Sequence, residues 1–174
     1  KAVEGTTQVF IPMNREVKDF YDNLGKYFLH FSEPSLVYEG ILPKGQRALD
    51  KGEACVVYRR GVRVREIEDF KSLYDYNFQD VPIDEARNMA DYSAKTAAGK
   101  LMAKASSPVL FKVFKSFGKD HYWEHDFNSY DIKQDWRWAS EEIALACKNW
   151  QTALHSINPK AILYSVCCKG KLFL

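Results

Sequence analysis

Apolar and polar residues recur along the chain with two different periods, which together predict a mixture of strands and helices. Alternation at every second position is typical of strands, and apolar residues three and four positions apart are typical of helices. Strands are predicted over residues 6–12, 36–42, 54–59 and 62–66, near 83, and over 161–167. Helices are predicted over residues 14–31, 85–103, 109–117 and 140–156. This order predicts an α+β fold in which helices pack on a mixed sheet.

The helix predicted over residues 14–31 begins at Asn14, a residue type that accepts hydrogen bonds from the free N–H groups of a first helical turn. Its apolar residues form a stripe at helical spacing, which is typical of a helix that packs through one face. The stripe consists of Val17, Phe20, Tyr21, Leu24, Phe28 and Phe31. Gly25 weakens this helix but need not end it.

The most informative stretch is residues 81–88 (VPIDEARN). Pro82 keeps its predecessor extended, and Asp84 is a good N-cap for a helix that begins at Glu85. Arg87 would then lie near the positive end of that helix, where a cation is unfavourable unless an anion or a carboxylate is close. A phosphate group is one candidate for that anion, and an ion pair with Asp84 or Asp91 is the alternative.

Composition excludes some classes of function. The net charge is only +2, so no global field draws the chain onto nucleic acid or anionic lipid. Neither a signal-peptide pattern nor an apolar run of membrane-spanning length occurs in these 174 residues. The four cysteines have no CxxC spacing, and we expect them to be reduced in a cytoplasmic protein. Because a strand-like run follows Lys1 directly, we expect a piece of a longer protein, although removal of a tag would give the same start.

Several short motifs follow one another in a recognisable order. They are Gly5-Thr6-Thr7, a linking helix, residues 57–64 (VYRRGVRV), residues 72–78 (SLYDYNF), residues 81–87 (VPIDEAR), and a long helix. This order resembles the region just downstream of the nucleotide-binding domain in GHKL-type ATPases, the group that includes Hsp90, the gyrase B subunit, MutL and histidine kinases. The phage rapid-lysis protein rIIA has a comparable run.

The resemblance implies a division of the chain and a role for one residue. Residues 1–33 would hold the last strand of an upstream domain and a linking helix, and residues 34–105 a transducer-like domain resembling ribosomal S5 domain 2. Residues 106–174 would be a C-terminal α/β extension of unknown role. In Hsp90-like members an arginine at the position that Arg87 matches reaches the γ-phosphate of ATP, which suits the planar fork of a guanidinium.

The chain also departs from the family pattern. It contains no counterpart of the helix asparagine that holds Mg²⁺, of the Asp-x-Gly-x-Gly segment, or of a glycine-rich phosphate loop. The resemblance therefore implies that ATP and Mg²⁺ are held only by an upstream domain, and that this chain is not catalytic alone. Its partners would be that domain, with a homodimer or another protein, and the helix over residues 85–103 would be the moving lever.

Other residues suggest alternative functions. One is a protein-interaction module, phage or bacterial, without enzymatic activity. Another is a small metalloenzyme, since His121, Glu124 and His125 match an HxxEH pattern that places both histidines on one helix face. Against the metal site, no third ligand follows at helical distance.

Two clusters of basic residues are further candidates for contact with a nucleotide or nucleic acid. Lys95, with Lys100 and Lys104, could extend a basic track from Arg87 towards a nucleotide or nucleic acid, although a solvated helix face is favoured. Arg59, Arg60, Arg63 and Arg65 form the densest basic cluster, with Arg63 and Arg65 predicted on one strand face. Internal pairing with the glutamates at 53, 66 and 68 is favoured there over contact with a nucleic-acid backbone.

Overall fold

The computed structural model describes residues 5, 9–32, 38–44, 54–85, 89–127, 140–161, 164–166 and 171–173. Helices and strands both occur, and the chain is an α+β protein with a four-stranded mixed sheet, as the sequence predicts. The helices are α1 (Arg15–Asp22), α2 (Leu24–Tyr27), α3 (Asp91–Ala103), α4 (Ser107–Ser116) and α5 (Ser140–His155). The strands are β1 (Ile41–Pro43), β2 (Ala54–Arg59), β3 (Val62–Lys71), β4 (Tyr74–Phe78), β5 (Tyr164–Val166) and β6 (Lys171–Phe173). Short 3-10 helices span Leu29–Phe31 and Trp123–Asp126.

The main sheet has the strand order β1-β4-β2-β3. The outer pairs are antiparallel, whereas β2 and β4 run parallel and bring their carboxyl ends to the same edge. β2 and β3, whose sequence fitted either one bent strand or a hairpin, form a hairpin with a two-residue turn that has positive φ at Arg60 and Gly61. Two successive positive φ angles match the twist of the flanking strands, which is why such turns favour tight hairpins. β5 and β6 form a separate antiparallel pair.

The central strand β2 is buried on both faces. Cys55 and Val57 belong to the larger core, where the sheet packs against α3, α4 and Trp123. Val56 and Tyr58 belong to a smaller cluster on the opposite face, with Leu29 and Leu42. A strand that is covered on both faces needs apolar residues at consecutive positions, and β2 supplies them.

The helix predicted over residues 14–31 is interrupted. Asn14 is its N-cap, as predicted, since its side-chain oxygen accepts a 2.8 Å hydrogen bond from the N–H of Val17. The helix ends after Asp22, and the chain continues as α2 and a 3-10 turn. The prediction of a packed apolar stripe is wrong for α1, which has no buried residue. Leu29 anchors this part to the sheet instead, through its N–H and the carbonyl oxygen of Gly61 at 2.8 Å.

Three strand predictions are corrected. Residues 9–12, the described part of the strand predicted over residues 6–12, form no strand. β1 begins at Ile41, because Tyr38, Glu39 and Gly40 lead into it as a turn; residues 36 and 37 lie outside the described residues. The aromatic stretch predicted to be irregular contains β4 at its start, not a strand near Ile83. β4 forms there because its backbone pairs with β1 on one side and with β2 on the other. This pairing joins strands that are distant in the sequence, so the local pattern of residues cannot predict it.

The helix predicted from Glu85 begins six residues later, at Asp91, with Ala90 as its N-cap. The prediction that Asp84 caps this helix is therefore wrong. Arg65 explains the delay, because it donates a 3.1 Å hydrogen bond to the carbonyl oxygen of Met89 and pairs with Asp91 at 2.8 Å. These contacts hold the chain just before the first turn. The helices predicted at 109–117 and 140–156 are confirmed with small shifts of their ends.

Arg63 and Arg65 do not share a strand face. A register shift between Val57 and Tyr58 places Arg65 opposite Val57 and Arg63 opposite Tyr58. Because Val57 and Tyr58 are neighbours on a strand, their partners point to opposite faces. The β-bulge, which adds one residue to β3, is the reason that simple alternation fails here.

Candidate functional site

The carboxyl ends of β2 and β4 hold the segment that leads to Pro82. Arg59 donates from Nε to the carbonyl oxygen of Val81 at 2.8 Å. Arg60 donates from Nε to the carbonyl oxygen of Gln79 at 3.0 Å and contacts Asp80 at 3.1 Å. The two arginines therefore position the backbone of residues 79–81 and are engaged within the fold.

The four clustered arginines all have internal partners, as predicted. Beyond the contacts of Arg59 and Arg60, Arg63 pairs with Glu66, and Arg65 pairs with Asp91. Most of these partners are backbone carbonyls or aspartates and not the predicted glutamates. Their role is to fix the turn and the segments around Pro82 and Met89.

Arg87 lies outside the described residues, so its contact with a γ-phosphate stays a prediction. Its neighbours on the N-terminal side are described: residues 81–84 have no regular secondary structure and Glu85 lies in a turn. Because α3 begins only at Asp91, residue 87 does not lie in its first turn. The helix dipole therefore gives no reason to expect an anion at that position. Lys95 lies on α3 and pairs with Asp126 at 3.7 Å, and its role towards a cofactor also stays a prediction.

A groove of about 550 Å³ lies between α3 and the segment that follows β4. One wall is α3, and the other is formed by residues 77–82 together with Glu39 and Gly40. The residues that line it from α3 are Tyr92, Ser93, Thr96, Ala97, Lys100, Leu101 and Lys104. Lys100 and Lys104 thus face the groove, whereas Lys95 is not among its lining residues, so the three lysines do not form one track.

The rings of His121 and His125 lie close together, with centroids 5.8 Å apart, but the Glu124 carboxylate does not join them in one site. Residues 123–126 form a 3-10 helix, and His121 precedes it, so the i, i+4 geometry of an α-helix is absent there. Glu124 is buried and its carboxylate is bound by the start of β4, while Nε2 of His125 lies 2.7 Å from the hydroxyl of Ser116. Among the described residues no group of three or more His, Cys, Asp or Glu side chains could hold a metal ion. This geometry does not support the metalloenzyme hypothesis.

The Glu124 carboxylate instead accepts a convergent set of hydrogen bonds. The donors are the hydroxyl of Ser72 at 2.7 Å, the N–H of Leu73 at 3.0 Å, the N–H of Tyr74 at 3.3 Å and the hydroxyl of Tyr76 at 2.8 Å. Burial and then the Glu124 charge raise the pKa of both tyrosines, which therefore stay protonated. The network joins the 3-10 helix to the turn between β3 and β4, so its role is structural.

The Cys55 thiol does not have the environment of a nucleophile. Burial, and then Asp75, raise the pKa of the Cys55 thiol, which keeps it protonated and inert. Cys55 and Cys147 are free thiols, as expected, and Cys167 and Cys168 lie outside the described residues.

The N-terminal arm, which we define as residues 9–22, exposes an unusual amount of apolar surface. Val9, Phe10 and Ile11 are consecutive and are 76%, 88% and 64% exposed. Further along the arm, Met13 and Tyr21 are 68% and 66% exposed. Contiguous apolar exposure of this kind marks an interaction surface in a soluble protein.

Comparisons with protein-family models, with curated proteins and with solved structures gave no match. Among the described residues no helix is both long enough and apolar enough to cross a bilayer.

Sequence reasoning did not find the groove as a site. The available signal was the spacing of Tyr92, Thr96, Lys100 and Lys104, which recur at every fourth position and so share one face of a helix. The opposite wall had no local signal, because it depends on the arginine contacts with residues 79–81.

Proposed function

We propose that this chain is a coupling module of a GHKL-type ATP-binding protein, transducer-like and similar to ribosomal S5 domain 2. It relays the ATP state of an upstream nucleotide domain to its own sheet and helices and is not catalytic alone. ATP and Mg²⁺ are held by that upstream domain, in the same chain or in a neighbouring copy of a homodimer. Arg87 provides the contact with the γ-phosphate.

The observation that carries this proposal is the exposure of Val9, Phe10 and Ile11. Three consecutive apolar residues point alternately to both sides of an extended chain, so both sides need cover. This is the pattern of a strand that lies inside a sheet with a layer on each face, as β2 does in this chain. The arm therefore fits the sheet of another domain, which is what the resemblance implies for residues 1–33.

The segment after β4 supports the second half of the proposal. Arg59 and Arg60 hold residues 79–81, and the ring of Pro82 fixes the φ angle of the residue that follows them. Arg87 follows a backbone that is fixed on its N-terminal side and, through Arg65 and Met89, on its C-terminal side. A partner that docks beside this segment would therefore meet a backbone that is already held at residues 79–81 and at Met89, and less conformational entropy of those residues would be lost on binding.

The test is to produce the protein from its complete reading frame and to measure ATP binding and turnover. We expect the complete protein to bind ATP and residues 1–174 alone not to bind it. In the complete protein, Arg87→Ala should lower kcat by about 100-fold while the Kd for ATP changes little, because the arginine acts mainly on developing charge.

The matched control is Lys119→Ala, which removes another positive charge at an exposed position after α4. We expect its turnover to stay close to wild type. A complete reading frame without a nucleotide-binding domain, or an Arg87→Ala protein with wild-type turnover, would reject the proposal.

The same arm also favours a second candidate, an interaction module without enzymatic activity. The distinguishing result is an assembly that depends on the arm but does not respond to ATP. Phe10→Asp should abolish that assembly, since a buried charge without a partner is strongly unfavourable. Gln151→Asp, which adds the same charge at an exposed position of α5 outside the arm, is the control.

A further inference from the structure

The groove beside α3 is elongated and narrows at one end. Its α3 wall runs from Tyr92 to Lys104, a length of about 18 Å at the rise of an α-helix. At the Lys104 end, Gly40 approaches so closely that a Cβ atom there would lie 2.9 Å from the carbonyl oxygen of Asn77 and 2.9 Å from Cδ1 of Leu101. The turn before β1, strand β4 and α3 therefore meet at this end.

The floor and walls of the groove differ in chemistry. Apolar side chains form the floor, namely Phe78, Val81, Ala97 and Leu101, and the first two are buried. Ser93 and Thr96 place hydroxyl groups along the α3 wall, and the ring of Tyr92 is 74% exposed at the wide end. An apolar floor with polar groups along one side suits a ligand that has both an apolar and a polar edge.

The charges along the rim are mostly neutralised within the fold. Lys104 pairs with Glu142 at 3.6 Å, and Asp80 pairs with Arg60 at 3.1 Å. Lys100 faces the groove and makes no ion pair with the described residues. The Glu39 carboxylate on the opposite wall disfavours a ligand of high negative charge.

We propose that this groove binds an extended peptide segment of a partner protein, with an acidic side chain at Lys100 and an apolar side chain on Ala97. A length of about 18 Å matches about five residues of extended chain. The groove is not an enclosed cavity, which suits a peptide, whereas small-molecule sites enclose most of their ligand. The proposal does not rest on the proposed coupling to ATP.

The experiment selects peptides from a displayed library of random dodecapeptides against the full chain. We expect the enriched sequences to share an Asp or Glu close to an apolar residue. A synthetic copy of the most enriched peptide is then titrated into wild type and variants by fluorescence anisotropy. Lys100→Glu and Ala97→Arg should each weaken its binding by about tenfold or more, since one reverses the charge and the other fills the floor.

A charge reversal sharpens the test. Selection against the Lys100→Glu protein should enrich Lys or Arg at the position where wild type enriches Asp or Glu. Lys115→Glu on α4 is the matched control, because Lys115 is exposed and does not line the groove. Its affinity for the peptide should stay close to wild type, and circular dichroism checks that each variant is folded.

Two results would overturn the proposal. One is a selection that enriches no sequence above background. The other is a set of enriched peptides that bind the Lys100→Glu and Ala97→Arg proteins as well as wild type. If such peptides bind the Phe10→Asp protein more weakly than wild type, the N-terminal arm recognises them and the groove does not.

Discussion

The hydroxyl of Tyr76 donates a 2.8 Å hydrogen bond to the Glu124 carboxylate, which lies 48 positions further along the chain. The ring of Tyr76 also meets the indole of Trp123 edge to face, with centroids 5.6 Å apart. Through these two contacts the 3-10 helix after α4 is attached to β4, the strand that pairs with both β1 and β2. The wall of the groove begins on the same strand, so this attachment supports the site.

Removing the Glu124 carboxylate should strongly destabilise the fold. Glu124→Ala leaves the hydroxyl of Tyr76 and the N–H of Leu73 buried without their acceptor, at a cost of about 1–3 kcal/mol for each such group, whereas the N–H of Tyr74 keeps the hydroxyl oxygen of Ser72 at 3.3 Å. We expect the free energy of unfolding to fall by at least about 2 kcal/mol. Urea unfolding followed by circular dichroism measures it. Glu141→Ala, at an exposed position of α5, is the control, and equal midpoints for the two variants would refute the assigned role of Glu124.

Gly40 and Gly118 offer a matched pair. Both have positive φ, at 71° and 78°, but a Cβ atom at Gly40 would collide with Asn77 and Leu101, whereas one at Gly118 would meet nothing within 4 Å. Gly118→Ala should cost about 1–2 kcal/mol from the backbone conformation alone. Gly40→Ala adds a cost of overpacking, about 1–3 kcal/mol. Thermal unfolding of the two variants compares them, and a smaller loss at Gly40 would show that the closed end of the groove can relax.

The stability of the fold should depend on the protonation of His125. Burial, and then the neighbouring His121, lower the pKa of His125 in the folded chain, so the fold favours the neutral imidazole. The unfolded chain, with a pKa of about 6.5, takes up the proton first as pH falls. Stability from this group is therefore complete above about pH 6.5 and is lost as pH falls through the lower folded value.

The measurement is the free energy of unfolding at pH 7.5 and at pH 5 (values set about one unit or more either side of the unfolded pKa). His125→Gln should reduce the loss between the two pH values. His30→Gln removes an exposed imidazole and should leave the loss unchanged. If the His125→Gln protein loses as much stability as wild type, another group carries the pH dependence.

Local chemistry made part of the fold predictable. The cap at Asn14 and the two strands that flank Arg60 and Gly61 each depend on residues that act on their immediate neighbours. The α5 helix is confirmed for the same reason, since its pattern and its acidic first turn are local. Internal pairing of the arginine cluster was also predictable, because acidic residues surround it in the sequence.

Contacts between residues that are distant in the sequence decided the features of the fold that local patterns did not predict. α3 begins at Asp91 because Arg65 holds Met89, and Asp84 cannot compete with that contact through local capping alone. β4 forms where two other strands pair with it, and the HxxEH pattern is no site because distant Ser72, Leu73 and Tyr76 bind Glu124. A sequence by itself determines caps, turns and amphipathic periods, since these depend on neighbours within a few residues. Only the tertiary structure decides which donors meet which acceptors across the fold, and here that choice set the start of α3, the partners of Glu124 and the walls of the groove.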